Sequence, residues 1–250
     1  MSPENPAKTS APSDGIFATT RWTVVLAAGR RATPQAEMAL DELCRTYWYP
    51  LYAYARHQGH LREDAEDLTQ SFFARLLEKN YIEGLTSDKG KFRAFLLAAL
   101  KHFLANEWNR ARRQKRGGGV ALLPLDWQDG DTRYQISIAD HLSPDKLYDR
   151  AWAVTLLERV ITRLRDESGA EGKSALFEHL KSFLMVGKGS IPYAQAATAL
   201  GLTEGAARVA VHRLRARYRA LLREEITQTL SDPAQADEEM QALFSAFSVG

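Results

Sequence analysis

Cysteine is nearly absent: Cys44 is the only one in 250 residues. One thiol makes no internal disulfide, and a zinc site needs three other ligands. Long apolar runs are missing too. The longest, Ala94–Leu100, has seven residues, against about twenty for a bilayer span, so no membrane insertion is expected. The opening MSPENPAKTSAPSDG has no apolar segment and does not read as a secretory leader. A charge excess is lacking, with 33 Lys and Arg against 31 Asp and Glu, a net of +2. The phosphate-loop pattern is absent as well: VGKGS (186–190) lacks the upstream glycine of G-x-x-x-x-G-K-[ST]. Asp64, Glu66 and Asp67 have no histidine at ligand spacing, and His57 and His60 read as surface histidines. No metal, cofactor or enzymatic activity is therefore expected. With 45% apolar and 26% charged residues, the chain has the composition of an ordinary folded protein. Its length suits one large domain or two small ones, working in the cytoplasm.

Near-neutrality hides a segregated charge. Residues 61–69 carry Arg62 against Glu63, Asp64, Glu66 and Asp67. Residues 101–116 carry Lys101, Arg110, Arg112, Arg113, Lys115 and Arg116 against Glu107 alone. Residues 205–223 hold six arginines and no acid, and residues 224–250 six acids and no base. Two separated basic blocks point to two contacts on a polyanion, whereas either block alone reads equally well as a solvated helix face.

The periodicity predicts an all-α fold. Residues 1–15 read as a disordered tail. Thr19 or Thr20 caps a short helix through about Ala28. Pro34 suits the first turn of a helix running to His57, and Gly59 breaks the chain. A helix over Arg62–Glu78 follows, then a loop over Asn80–Lys91. Phe92, Phe95, Leu96, Ala99, Leu100, Phe103, Leu104 and Trp108 recur at helical spacing and form one apolar stripe, ended by Gly117–Gly119. Trp108 is the stripe member least clearly assigned to the core. Residues 117–146 lose all periodicity and read as a flexible linker, in which TRYQISI is the only strand candidate. Helices resume with Trp152, Leu156, Leu157, Val160, Ile161 and Leu164 on one face, and a second helix covers about Ser174–Met185. Two small helical domains are thus expected, over 16–116 and 147–228, with an acidic extension over 229–250.

Residues 191–222 have the grammar of a helix-turn-helix. Gly201 permits the tight turn, Thr203 caps the second helix and Glu204 suits its positive end. Arg208, His212, Arg215 and Arg219 share one face of that helix, and Ala207, Val211, Leu214, Tyr218 and Leu221 another. Such a helix docks on a core and enters a major groove, with Arg208 and His212 nearest base edges and Arg217, Arg219 and Arg223 placed for phosphates.

The stretch 51–80, with its DAEDLTQ string at Asp64–Gln70, and the stretch 89–116 together resemble region 2 of bacterial sigma factors. They look most like the extracytoplasmic-function (ECF) type of the sigma-70 family. Residues 147–225 resemble region 4, with 203–218 matching its recognition helix, and FATTRW (17–22) resembles a subgroup with extended termini. The resemblance implies a protein that binds core RNA polymerase, recognises −35 and −10 promoter elements and opens DNA. It implies polymerase contacts by Asp64, Glu66, Asp67, Gln70 and Phe73 on the β′ clamp helices, and a β flap contact by region 4. It implies −10 contacts by Phe92 and Arg93, beside a loop holding a flipped non-template base, and by Trp108, Asn109, Arg112 and Arg113. Thr203, Arg208, His212, Arg213 and Arg215 would meet the −35 element. Strand opening of this kind is stabilised by base–aromatic stacking of about 1–3 kcal/mol per base.

RDESGAEGKS (165–174) departs from the short turn usual between the first two helices of region 4. An anti-sigma factor and the C-terminal tail are candidate inhibitors. Met240, Leu243, Phe244 and Phe247 suggest an amphipathic turn masking a basic surface of region 4, and the plainer alternative is a solubilising tail. Phosphorylation of Thr69 would alter the charge of the acidic helix. A stand-alone helix-turn-helix regulator is the competing reading, but it leaves the acidic and the first basic helix without a role.

Overall fold

The structure, a computed structural model, describes residues 21–23, 33–78, 91–113, 142–185 and 192–247. The described residues are all-α. Helices α1 (Pro34–His57), α2 (Arg62–Glu78) and α3 (Phe92–Arg113) come first. Then follow α4 (Pro144–Ala170), α5 (Ser174–Leu180), α6 (Ser182–Met185), α7 (Tyr193–Leu200), α8 (Glu204–Thr227) and, after a 3-10 turn, α9 (Ala236–Ser245). Among the described residues, Lys91 and Leu230 form an isolated antiparallel bridge. The expected loop over 80–90, the linker with its strand candidate and most of the expected helix near Thr20 lie outside the described residues, although 21–23 are helical.

Local chemistry sets the helix ends. Pro34 opens α1, and Gly59, at φ 94°, reverses the chain after it. Ser143 caps α4, its Oγ accepting from the Lys146 amide, with Pro144 in the first turn. The segment 165–174 is mostly helical: α4 runs through Ala170 and turns over Glu171–Lys173, with Gly172 left-handed at φ 69°. The helix expected over 174–185 is broken at Lys181 into α5 and α6.

Two apolar clusters organise the fold. The smaller joins Leu180, Phe183, Ala196 and Val211, packing α5, α6 and α7 against α8. The larger begins in α1–α3 and continues without a break into α4, α8 and α9. It crosses the expected division between 16–116 and 147–228. Helix α1 makes its most extensive packing with α4, and Tyr148, Trp152 and Leu156 of α4 are fully buried. Burying each such large side chain contributes about 1.5–3 kcal/mol. Charged pairs flank this seam: Arg159 with Glu42, Lys101 Nζ with Asp145 at 2.7 Å, and Arg93 with Asp149. His57, expected on the surface, is half-buried, and its Nε2 donates to the Leu142 carbonyl at 2.9 Å.

The N-terminal segment joins the same core. Trp22 is fully buried, its ring 4.7 Å from that of Phe92 and 5.6 Å from that of Phe95. Its amide donates to the Gln228 carbonyl at 3.1 Å, and Arg21 pairs with Glu225 at 3.3 Å. Cys44 is buried in α1, where burial pushes its thiol far above the ordinary value, a poor setting for thiolate chemistry.

Candidate nucleic-acid and polymerase interface

Helix α2 turns its acids outward because its apolar residues are spaced for the core. Ala65, Phe72, Phe73 and Leu76 are buried, while Glu63, Asp64 and Asp67 are exposed. Glu66 is half-buried and accepts from Arg62 Nε at 3.0 Å. Gln70 is half-buried as well. Phe73, expected at a polymerase contact, is 2% exposed and packs edge-tilted on Phe72 at 5.5 Å, so its role in this conformation is packing. Thr69 is fully buried, and its hydroxyl donates to the Ala65 carbonyl at 2.7 Å. A kinase has no access to it in this state.

The residues expected at the −10 element divide into two groups. At the C-terminal half of α3, Trp108 is 60% exposed and Asn109 is exposed. Trp108 therefore leaves the apolar stripe. It borders a hollow of about 720 Å³ together with Tyr54, Leu68, Lys101 and Leu104. Arg112 and Arg113 end the helix, and their side chains lie outside the described residues. At the N-terminal end of α3 the picture reverses. Phe92 is fully buried against Trp22 and Tyr47, and its amide donates to the Thr229 carbonyl at 3.0 Å. Arg93 lies over the Trp152 ring at 4.4 Å and pairs with Asp149 and Glu239. Burial alone would lower the pKa of this guanidinium, but hydrogen bonding to Glu239 and the charges of Glu239 and Asp149 raise it. Phe92 is closed to solvent in this conformation, and the Arg93 side chain keeps 15% exposure.

Helices α7 and α8 are joined by the three residues 201–203. Gly201 takes the left-handed conformation at φ 64°, and the Leu202 amide donates to the Ala197 carbonyl at 2.9 Å. Thr203 caps α8, its Oγ1 accepting from the Ala206 amide at 3.2 Å. Ala207, Val211 and Leu221 are buried, so the opposite face is held outward. Arg208, His212, Arg213 and Arg219 are exposed there. Arg208 pairs with Glu204 at 2.7 Å and lies 5.2 Å from the Tyr193 ring centroid. Arg215 is turned inward: its Nε and Nη2 donate to the Phe183 carbonyl at 3.0 and 2.7 Å, tying α8 to α6. Of the arginines expected at phosphates, Arg217 is held by both oxygens of Glu167 at 2.8 Å and Arg223 is paired with Asp237. Arg219 remains exposed.

Lys91 ends the loop expected at the −10 element, and the sequence does not single it out within that loop. It is paired with Glu238 at 2.7 Å and Glu239 at 3.1 Å, two acids nearly 150 positions away. Its place beside Arg93 was the only local signal. Among the described residues, no group of three His, Cys, Asp or Glu side chains is arranged to hold a metal ion. No helix among them is long and apolar enough to cross a membrane.

Residues 43–114 match the family Sigma-70 region 2. That segment covers most of α1, all of α2 and all of α3. The match supports a sigma factor role in promoter recognition with RNA polymerase. No curated protein and no solved structure matches the chain.

Proposed function

We propose that the chain is an ECF-type sigma factor acting in the cytoplasm. The observation that carries this reading is the region 2 match over 43–114, coinciding with a helix that holds Glu63, Asp64 and Asp67 exposed above a buried apolar face. The exposed acids of α2 contact the β′ clamp helices of core polymerase. Trp108 and Asn109, with the arginines that end α3, meet promoter DNA at the −10 element, where an exposed indole suits an unstacked base. Thr203, Arg208, His212 and Arg213 of the α7–α8 helix-turn-helix meet the −35 element, and Arg215 positions α8. Residues 16–116 and 147–228 act as the two functional units, region 4 also contacting the β flap.

Run-off transcription with core polymerase and a pool of genomic promoter fragments tests this reading. Defined transcripts that require the protein, and that disappear with Asp64→Arg/Asp67→Arg, are expected. Sequence-specific duplex binding by the protein alone, without transcripts, overturns it. That outcome favours a stand-alone regulator using the exposed basic face of α8.

A further inference from the structure

A glutamate is rarely buried unless paired. Glu239 of α9 is 1% exposed, and its partners are Arg93 and Lys91. Arg93 donates from Nε at 2.8 Å to one oxygen and from Nη2 at 3.3 Å to the other, a two-pronged grip on the carboxylate. Lys91 Nζ donates to Glu238 at 2.7 Å and lies 3.1 Å from Glu239. The seat is rigid from below: the Arg93 guanidinium rests on the Trp152 ring, and the Tyr148 hydroxyl donates to the Arg93 carbonyl at 3.0 Å. A planar guanidinium fork beside an ammonium is what recognises the oxygens of a phosphodiester.

The occupant is lightly anchored. In α9, Ala236 and Leu243 supply the fully buried apolar side chains and Met240 packs partly buried on the core, while Phe244 and, just past the helix, Phe247 are 54% and 43% exposed. Its charged contacts supply much of the rest, with Asp237 paired to Arg223. The tail touches α8 there and leaves Arg208, His212, Arg213 and Arg219 exposed. On α8 the tail therefore covers Arg223, through Asp237, and not the face that carries Arg208 and His212.

We propose that α9 is an intramolecular stand-in for nucleic-acid backbone. Glu238 and Glu239 occupy a two-cation seat, Lys91 and Arg93, that a phosphate of melted single-stranded DNA takes when α9 lifts away. Docking of α9 and binding of the strand exclude one another. This rests on the promoter-binding reading above and adds to it an internal competitor and its address.

The test measures anisotropy of a fluorescein-labelled oligodeoxythymidine with the full chain and no polymerase. Glu238→Gln/Glu239→Gln is expected to bind about tenfold tighter than the parent. Adding Lys91→Gln/Arg93→Gln to that variant abolishes the gain. It also lowers the slope of log affinity against log salt by about 0.7, as one lost phosphate contact on a single strand requires. Asp166→Asn/Glu171→Gln, an equal charge change elsewhere on the surface, gains less than about threefold. Equal gains in the two acid-to-amide variants, an unchanged affinity of a folded Glu238→Gln/Glu239→Gln chain, or no binding by any variant overturns the proposal.

Should the buried glutamine prevent folding, the parent chain decides by hydrogen exchange. Amides of 236–245 exchange faster once the oligonucleotide is bound, and unchanged or slower exchange overturns the proposal. Normal transcription by a glutamine variant with unchanged strand affinity overturns the α9 competitor alone. Failed transcription with the expected strand affinities overturns the sigma-factor reading and leaves the competitor standing.

Discussion

The basic face of α8 and the start of α3 carry similar cations in opposite circumstances. On α8, Arg208, His212, Arg213 and Arg219 face solvent, and Arg208 makes a local, exposed pair with Glu204, four residues apart. At the start of α3, Lys91 and Arg93 are satisfied by Glu238, Glu239 and Asp149 from distant helices. Charge counted along a chain is therefore not the charge offered to a polyanion. What decides is which acids the fold brings back onto each cation. Under the proposed function the exposed face can meet duplex DNA as it stands, and the paired seat needs a rearrangement first.

The sharpest way to break this comparison is to delete one cation from each place. Arg93→Ala leaves the buried Glu239 carboxylate with Lys91 as its one remaining cation and is expected to lower stability by about 3 kcal/mol in urea unfolding. Arg208→Ala, at an exposed site, is expected to cost less than about 0.5 kcal/mol. Equal losses would erase the distinction. Trp152→Ala empties the floor of the seat and is expected to cost about 3–5 kcal/mol. Because one cluster spans α1–α4 and α8, that loss should shift a single transition seen alike by fluorescence and circular dichroism. Two separated transitions would show the units to be independent.

Smaller effects sharpen the α8 side. Gly201→Ala meets no atom within 4 Å of the added Cβ, so its cost is that of the left-handed backbone alone, about 1–2 kcal/mol. Thr203→Ala removes the cap and is expected to cost about 1 kcal/mol, largely restored by Thr203→Ser. Both are read in urea unfolding, and both should weaken duplex binding only as far as α8 is loosened.

The smallest expected effect is a pH dependence. Burial pushes the Glu42 carboxyl up, but the Arg159 guanidinium, with the charges of Arg21 and Arg45, more than reverses it, so Glu42 titrates below the ordinary 4.5. Hydrogen bonding from Arg217 holds Glu167 below 4.5 as well. Both carboxyls bind protons more weakly folded than unfolded. Their contribution is complete above about pH 4.5 and is lost as the pH falls through the lower folded values. Glu167→Gln should flatten that acid limb by less than about 1 kcal/mol, since the pair is largely solvated.

Much of the fold is legible in the chain. Pro34, Gly59 and the spacing of Phe72, Phe73 and Leu76 place α1 and α2 at the observed Pro34–His57 and Arg62–Glu78. Gly201 and Thr203 mark the α7–α8 turn, because a left-handed glycine and a threonine cap act within a few residues of themselves. The exposed acids of α2 follow from the same arithmetic of faces. Phe73 and Phe92 lie on apolar faces that the periodicity itself marks as buried, against the contact role the resemblance implies. Arg215 is another matter: it is turned inward by the Phe183 carbonyl, a partner the local pattern does not name.

The sequence by itself determined where helices begin and end, which face of each is apolar, and where positive and negative charge is concentrated. These are short-range matters, settled by propensity, capping and a 3.6-residue period. The tertiary structure decided what each apolar face meets and which charges remain on offer. It set α4 against α1, carried Trp22 into the core beside Phe92, and brought Glu239 onto Arg93 across 146 positions. The physical reason is that burial and ion pairing depend on distance in space, and helical periodicity carries no record of the partner.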